Sequence, residues 1–562
     1  MPQFDPPIRD RRRPLALARQ LTFVSLALAG CGGLSFTGPT GSGGAAFSGA
    51  GGAMTGQGGA GGTVAAGAGG STMDAGASDA GASSDAMAQS DACDGSHAAI
   101  VPGNVGATAA DFIMARWPEL DYTAADCTGP SNCFSLNFPT VPAGPSPKFW
   151  EYTYGVPLVG IQKLYEKTGQ AKYLAFVKKY VDRYVDANGV VSYARPWPLN
   201  TDGTMLAPND PTIQDVIQPS NLLFGLYAAT NDMRYLKAMS NTRQNFHNIM
   251  KNPGGAFWHK PAYPNQQWLD GIYMSEPFIT RYGALYADSQ LAGDSADCFS
   301  TATTQIKILA SHTFDPQTKL YFHAWNGAAD GVWLGLGLPS KTPVPTGTVV
   351  SPILWARSIA WFLAGTVDVL EYLPVNHPDR QALLDVVSNI AQGLKTYQDP
   401  TTGLWYQVVN QMDAPPPANG GYAGETDKPG QPNWLETSSS GIFSYALAKA
   451  VRLGYIPTSY VAVARKGWAG VKSRIDIGTD GSVNVRGTVV GMSVGGTYNA
   501  YTNADFRTDL MTGTPPAPST CKTAAQIAPG TTPTLDCRYT YVRDNVPQGY
   551  AAVLLAASEL EF

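Results

Sequence analysis

No Cys-x-x-Cys pair occurs anywhere in the chain, so the clustered thiolates of a structural zinc site are not on offer. Charge is scarce: acidic and basic side chains together make 14% of the residues, and the net charge is −5. Apart from Arg9, Arg11, Arg12 and Arg13 the cations are scattered, which argues against a nucleic-acid-binding protein. Runs of strict apolar/polar alternation are short and few, which speaks against an all-β fold. Long hydrophobic runs are lacking too. The apolar stretch near the start, LTFVSLALAGC, is too short to span a bilayer comfortably.

That stretch follows the arginine cluster, the order of a secretory signal. It ends in Leu28-Ala29-Gly30-Cys31, which resembles a bacterial lipobox: small residues admit the peptidase, and Cys31 becomes the lipid-modified N-terminus. Residues 1–31 are therefore expected to be a lipoprotein signal peptide, the plainer alternative being an ordinary cleavage site and a secreted chain. Residues 32–100 are dominated by Gly, Ala and Ser, which cannot bury enough surface to offset the entropy of ordering; they form an expected flexible tether. Setting Cys31 aside, six cysteines remain, an even number consistent with an oxidising compartment. Cys127 with Cys133 and Cys521 with Cys537 are near enough to close small loops, while Cys93 and Cys298 are left to pair or stay free.

From about residue 105 onward apolar residues recur at helical spacing. Helices are expected near 108–117, 149–167, 171–187, 215–230, 232–251, 269–289, 294–313, 351–373, 378–397, 436–452, 456–474 and 547–561. The segments KTGQAKY, TNDMRY, NHPDR and LGYIPTSY are short turns of the kind that join antiparallel helix pairs. The other junctions are long and rich in Trp, Tyr, His, Gly and Pro, as around 252–268. Six helical hairpins with long loops at one end describe an all-α toroid, an (α/α)6 barrel occupying residues 101–562; the competing arrangement is an irregular helical array or solenoid.

The helices entered from long loops open with FWEYTYG, IQDVIQPS, WLDGIYM, LWARSIAW, ETSSSGI and NVPQGY, and these openings converge on the mouth of such a barrel. Aromatic faces there can stack on pyranose rings while carboxylates and amides hold hydroxyls. Asp215 and Asp270 each stand near the first turn of an apolar helix, where capping or the helix dipole alone could explain them. Trp268 and Tyr273 flank Asp270, and their bulk is expected to desolvate it and raise its pKa toward acid catalysis. Two acids in an aromatic cleft can protonate a substrate atom and activate water. His323 lies in a long loop, free to face the cleft. Arg357 is the strong cation of the six openings, with a fork suited to a substrate carboxylate or to an ion pair with an acid such as Asp215. Trp150, Tyr152, Trp268, Trp325, Trp355, Trp361 and Trp434 are candidates to line a sugar site or to pack the core. No metal or organic cofactor is implied, and the membrane is a partner only through the anchor.

The order WLDGIYMSEPF, LYFHAWN, LWARSIAW and ETSSSGIFSYALAKAVRLGYI resembles the motif succession of glycoside hydrolase families 88 and 105, the unsaturated glycuronyl and rhamnogalacturonyl hydrolases, over most of residues 148–560. The resemblance implies an (α/α)6 barrel and hydration of the C4=C5 double bond of a terminal Δ4,5-unsaturated uronic acid. It implies that Asp270 is the acid/base and Asp215 the second aspartate, with His323, Arg357, Trp361 and Trp150 or Tyr152 contacting substrate; Trp268 is a further candidate to bind substrate. Where the family usually has Arg-Gly-Asn-Gly-Trp, this chain has Arg357-Ser358-Ile359-Ala360-Trp361, and long insertions near 326–350, 410–433 and 499–546 alter the rim. Two other readings stay open: a conventional hydrolase of a saturated sugar with Asp215 as base, and a non-catalytic glycan-binding lipoprotein.

Overall fold

The computed structural model describes residues 103–118, 150–192, 211–261, 263–329, 350–351, 354–410, 435–489, 542–543 and 546–562. All of them belong to the larger of two compact units, Ala86–Phe562. The expected leader with Cys31, the tether, Trp434, the cysteines Cys93, Cys127, Cys133, Cys521 and Cys537, and most of the insertions lie outside the described residues.

Among the described residues the α-helices are α1 (Val105–Arg116), α2 (Tyr152–Thr168), α3 (Ala171–Tyr184), α4 (Gln214–Ile217), α5 (Leu222–Thr230), α6 (Met233–Asn245), α7 (Leu269–Tyr282), α8 (Asp288–Gln290), α9 (Asp294–Thr313), α10 (Ala356–Tyr372), α11 (Arg380–Tyr397), α12 (Thr437–Arg452), α13 (Tyr460–Lys472) and α14 (Pro547–Leu560). The hairpin turns work as their residues dictate. Gly169 ends α2 in the left-handed region at φ 65° and its N–H donates to Tyr165 O. Asn231 does the same for α5 at φ 54°, and the Asp232 side chain then accepts from Arg234 N to start α6. A left-handed residue followed at once by a cap reverses the chain in two or three positions.

The tertiary contacts close on themselves. α2 packs on α5 and on the 3-10 turn Gln218–Asn221, that turn and α4 pack on α7, α7 on α10, α10 on α12, α12 on α14, and α14 back on α2. Each remaining long helix backs one member of this cycle: α3 on α2, α6 on α5, α9 on α7, α11 on α10, α13 on α12 and α1 on α14. Glycine permits the closest approaches. A β-carbon on Gly365 of α10 would come within 2.9 Å of the Ile272 and Tyr273 backbone of α7, and one on Gly441 of α12 would come within 2.8 Å of the Ala552 side chain of α14. Either added methyl overpacks the interior.

Below the heads of the cycle's helices the interior is filled. Tyr273 and Trp361 stack there at 4.6 Å. Near the far ends, Lys449 on α12 reaches Asp368 and Glu371 on α10 at 2.7 Å each, and Arg452 meets Glu559 of α14 at 2.8 Å. Burial acts to discharge Lys449, but Asp368 and Glu371 hold its pKa well above the usual lysine range. Cys298 on α9 is a free, buried thiol, its pKa pushed up to about 12 by burial and its Sγ 3.8 Å from Asp294. It is too protonated to react at neutral pH.

Candidate active site

Two helices open on an acid. Ile213 is extended, at φ −82° and ψ 121°, and α4 starts immediately after it with Asp215 in its first turn. Trp268 is likewise extended, at φ −107° and ψ 149°, and leads into α7 with Asp270 in its first turn. The dipole of α7 favours a negative charge there, so a first-turn place in the helix and chemistry are compatible uses of Asp270.

A small antiparallel ribbon brings the histidine. Gln266–Trp268 pairs with Ala324–Asn326, Trp268 facing Ala324, and Leu269 N donates to His323 O at 3.0 Å. His323 is thereby fixed at the start of α7, with Nε2 3.2 Å from Asp270 Oδ2. That is ion-pair distance, although the two atoms are not aligned as a hydrogen bond. Trp268 lies edge-on to the His323 ring at 5.1 Å, and Trp355 lies tilted to it at 4.8 Å.

The second acid is held differently. Lys260 Nζ is 2.6 Å from Asp215 Oδ2, and His259 Nε2 is 3.9 Å from its Oδ1. Burial pushes His259 down to about 4, against the pull of Asp215, so the imidazole is neutral at pH 7 and Lys260 supplies the positive charge. His259 also stacks on Trp268 at 4.5 Å, and Tyr263 on Trp268 at 4.7 Å. The His259 turn is tied back by a bond from His259 N to Gln266 O at 2.7 Å. Exposure separates the two acids: the Asp215 side chain retains 2% of its surface and that of Asp270 12%. Asp270 is the carboxylate a ligand reaches more readily.

Tyr152, at the head of α2, belongs to the same cluster. Burial and then Asp215 push its phenol up to about 12, while Arg357 and Lys260 oppose the rise. The Arg357 guanidinium carbon lies 4.9 Å over the Trp355 ring. Arg357 Nη1 donates to Val489 O and, at 3.4 Å, to Ser438 Oγ. Ser438 is itself pinned by Glu436, whose carboxylate caps α12 by accepting from Ser438 N and Ser439 N.

The structure thus gathers Asp215, Asp270, Tyr152, Trp268, His323 and Arg357 at the heads of α2, α4, α7 and α10. It places two other candidates away from that cluster. Trp150 is fully buried and stacks on Tyr180 of α3 at 5.8 Å, behind the site. Trp361 sits deeper, on Tyr273, whose phenol has Asp368 and Lys449 as its charged neighbours. Tyr273 thus takes its ring toward the interior, whereas His323 stands beside Asp270 and Trp268 beside His323. Trp325 packs on His312 of α9 at 3.8 Å. Ser358, Ile359 and Ala360 are fully buried, and the Ser358 hydroxyl donates to Trp355 O, so the altered stretch fills core. His259 and Lys260 were missed in the sequence; the signal available was their place in an aromatic, proline-rich loop running straight into Asp270.

Comparison with known proteins adds the following. The profile of Glycosyl Hydrolase Family 88 matches residues 139–510. Unsaturated rhamnogalacturonyl hydrolase YesR of Bacillus subtilis is 23% identical over 271 residues, covering 47% of this chain and 66% of YesR, just under two thirds of that protein. A solved glycoside hydrolase from family 105 of C. acetobutylicum superposes with a TM-score of 0.56 at 26% identity, over 81% of this chain and 99% of that one. A possible family 105 member from Klebsiella pneumoniae shares the fold, with a TM-score of 0.54 at 19% identity over 82% of this chain and 93% of that one.

Proposed function

Since this chain belongs to glycosyl hydrolase family 88, we propose that it removes a terminal Δ4,5-unsaturated uronic acid from oligosaccharides by hydrating the C4=C5 double bond. The observation that carries this reading is the asymmetry of the two acids: Asp270 is partly open and beside His323, whereas Asp215 is buried behind Lys260. Hydration needs one group that gives a proton to carbon and takes one from water. Asp270, protonated, delivers its proton to C4, and the developing positive charge at C5 is shared with the ring oxygen. Water adds at C5 and gives its proton to the Asp270 carboxylate, restoring the acid. The hemiketal opens as the bond from C5 to the ring oxygen breaks, leaving a ketone at C5 and a hemiacetal at C1, which expels the next sugar as an alcohol.

Asp215, paired with Lys260, is less suited to be the base that a conventional glycosidase requires. Its charge instead favours the cationic character that develops after protonation. Arg357, braced by Trp355 and Ser438, is the cation for the uronate carboxylate. The cyclic order of helix contacts supports an (α/α)6 barrel, and the likeness to a rhamnogalacturonyl hydrolase favours a rhamnogalacturonan-type substrate. The test uses the chromophore: hydration destroys the conjugated enoate, so the ultraviolet absorbance of lyase-generated oligosaccharides should fall on adding enzyme. Release of a saturated sugar without that fall would favour a conventional hydrolase, and binding without turnover a glycan-binding protein.

On the same reading residues 1–31 direct export, 32–100 tether the enzyme and 101–562 are catalytic, with Cys31 carrying the lipid. Cys31→Ala is expected to move the protein from the membrane to the soluble fraction; a variant that stays with the membrane removes the anchor from the account.

A further inference from the structure

Six residues beyond Asp270 on α7 stands a carboxyl group with no assigned task. Glu276 is fully buried, and its Oε1 has no hydrogen-bond partner. Its Oε2 lies 2.7 Å from Ser275 Oγ. The same hydroxyl accepts from Gln214 Nε2 at 3.1 Å and lies 3.3 Å from Gly271 O. Gln214 is the neighbour of Asp215 and Gly271 the neighbour of Asp270. The Gln214 carboxamide is wedged against Gly271: a β-carbon there would come within 2.2 Å of Gln214 Oε1. A short polar bridge therefore runs from α7 to α4, one residue away from each acid.

We propose that Glu276 is a positioning residue of the reaction: through Ser275 and Gln214 it braces α7 against α4 and fixes where Asp270 and Asp215 stand relative to each other. The proposal rests on the hydrolase reading above. Proton counting gives the state of the brace. A serine hydroxyl has one proton and two lone pairs, and here it faces a donor, Gln214 Nε2, and an acceptor, Gly271 O. Both contacts are kept only if Glu276 brings the third proton itself, as a neutral acid donating to Ser275. Burial acts in the same sense, raising the Glu276 pKa to about 8, while a Ser275 hydroxyl turned to the carboxylate would oppose the rise. The charged or titratable groups on the packed helices include Asp215 on α4, Arg234, Lys237 and Arg243 on α6, Asp294, Asp297, Lys307 and His312 on α9, and Arg357, Asp368 and Glu371 on α10, and none of them contributes to that shift. When Glu276 ionises, Ser275 must turn its proton to the carboxylate and the contact with Gly271 is given up.

The experiment compares Glu276→Gln and Glu276→Ala with the wild type. Glutamine keeps the shape and a donor at every pH, so its kcat should match the wild type near pH 6 and exceed it by about threefold or more near pH 9. Alanine removes the brace, and kcat should fall by about tenfold or more with KM changed far less. A flat ratio of Gln variant to wild type across pH overturns the proposal, as does a folded Gln variant inactive near pH 6 or an Ala variant of wild-type kcat. Melting curves supply a readout without substrate. The folded carboxyl is raised from 4.5 to about 8, so its stabilising neutral form is fully present below about pH 4.5 and its contribution is lost as pH rises to about 8. The Gln variant should therefore gain on the wild type across that window and stay ahead above it. If no unsaturated oligosaccharide is turned over by the wild type, the hydrolase reading falls, and coincident melting curves would overturn the brace on their own.

Discussion

Asp270→Asn should lower kcat by about a thousandfold, within the range typical of a lost general acid–base group, while KM and the melting temperature stay close to those of the wild type. The amide has nearly the same shape and keeps the first-turn position at the head of α7. It cannot protonate a carbon, nor can it take the proton of the attacking water. Stability should hold because the carboxylate is not a hydrogen-bonded keystone: its close partner His323, at 3.2 Å, is out of hydrogen-bond alignment. Loss of absorbance at saturating substrate is the measurement. Activity surviving in this variant and vanishing in Asp215→Asn would reverse the two assignments.

Lys260→Met should cost both activity and stability. The lysine stem is replaced by one of similar length, but Asp215, at 2% side-chain exposure, loses the ammonium 2.6 Å away. Breaking a buried pair costs several kcal/mol; with Lys260 itself one-fifth exposed, a discounted loss of about 2 kcal/mol is appropriate. Burial, the largest cause of the lowered His259 pKa, still opposes a charge on the neighbouring imidazole when Lys260 is gone, although the pull of Asp215 is then less opposed. The carboxyl then gains a proton or shifts, and kcat/KM should fall by about a hundredfold. Denaturant midpoint and initial rate read the two effects separately. If both are unchanged, the pair has no part in either, and Lys260→Arg, which keeps the charge, would show no distinct rescue.

The helical elements were legible because each carries its own punctuation. The limits expected near 171–187, 294–313 and 436–452 meet α3, α9 and α12 within a few residues, since the apolar spacing that sets them is local. Departures follow from particular residues. The helix expected over 215–230 is interrupted at Gln218–Asn221, where Pro219 lacks an N–H and forces a tighter turn. The one expected from 351 starts at Ala356 because Trp355 is held extended by a bridge to Val408. At the site the acids could be read because they sit at helix starts. The Lys260 contact could not: it joins a loop to a helix start far back in the chain, and no local pattern encodes it. The same holds for Tyr273: three residues on from Asp270 along α7, it takes its ring onto Trp361 of α10, a contact that no local pattern encodes.

The filled interior beneath Asp270, with Tyr273 on Trp361 and the Lys449 cluster beyond, makes the site a cul-de-sac. On the proposed function, a chain that enters there by its tip and loses one sugar would back out the way it came, and the enzyme would work distributively, with a fresh encounter for every bond broken.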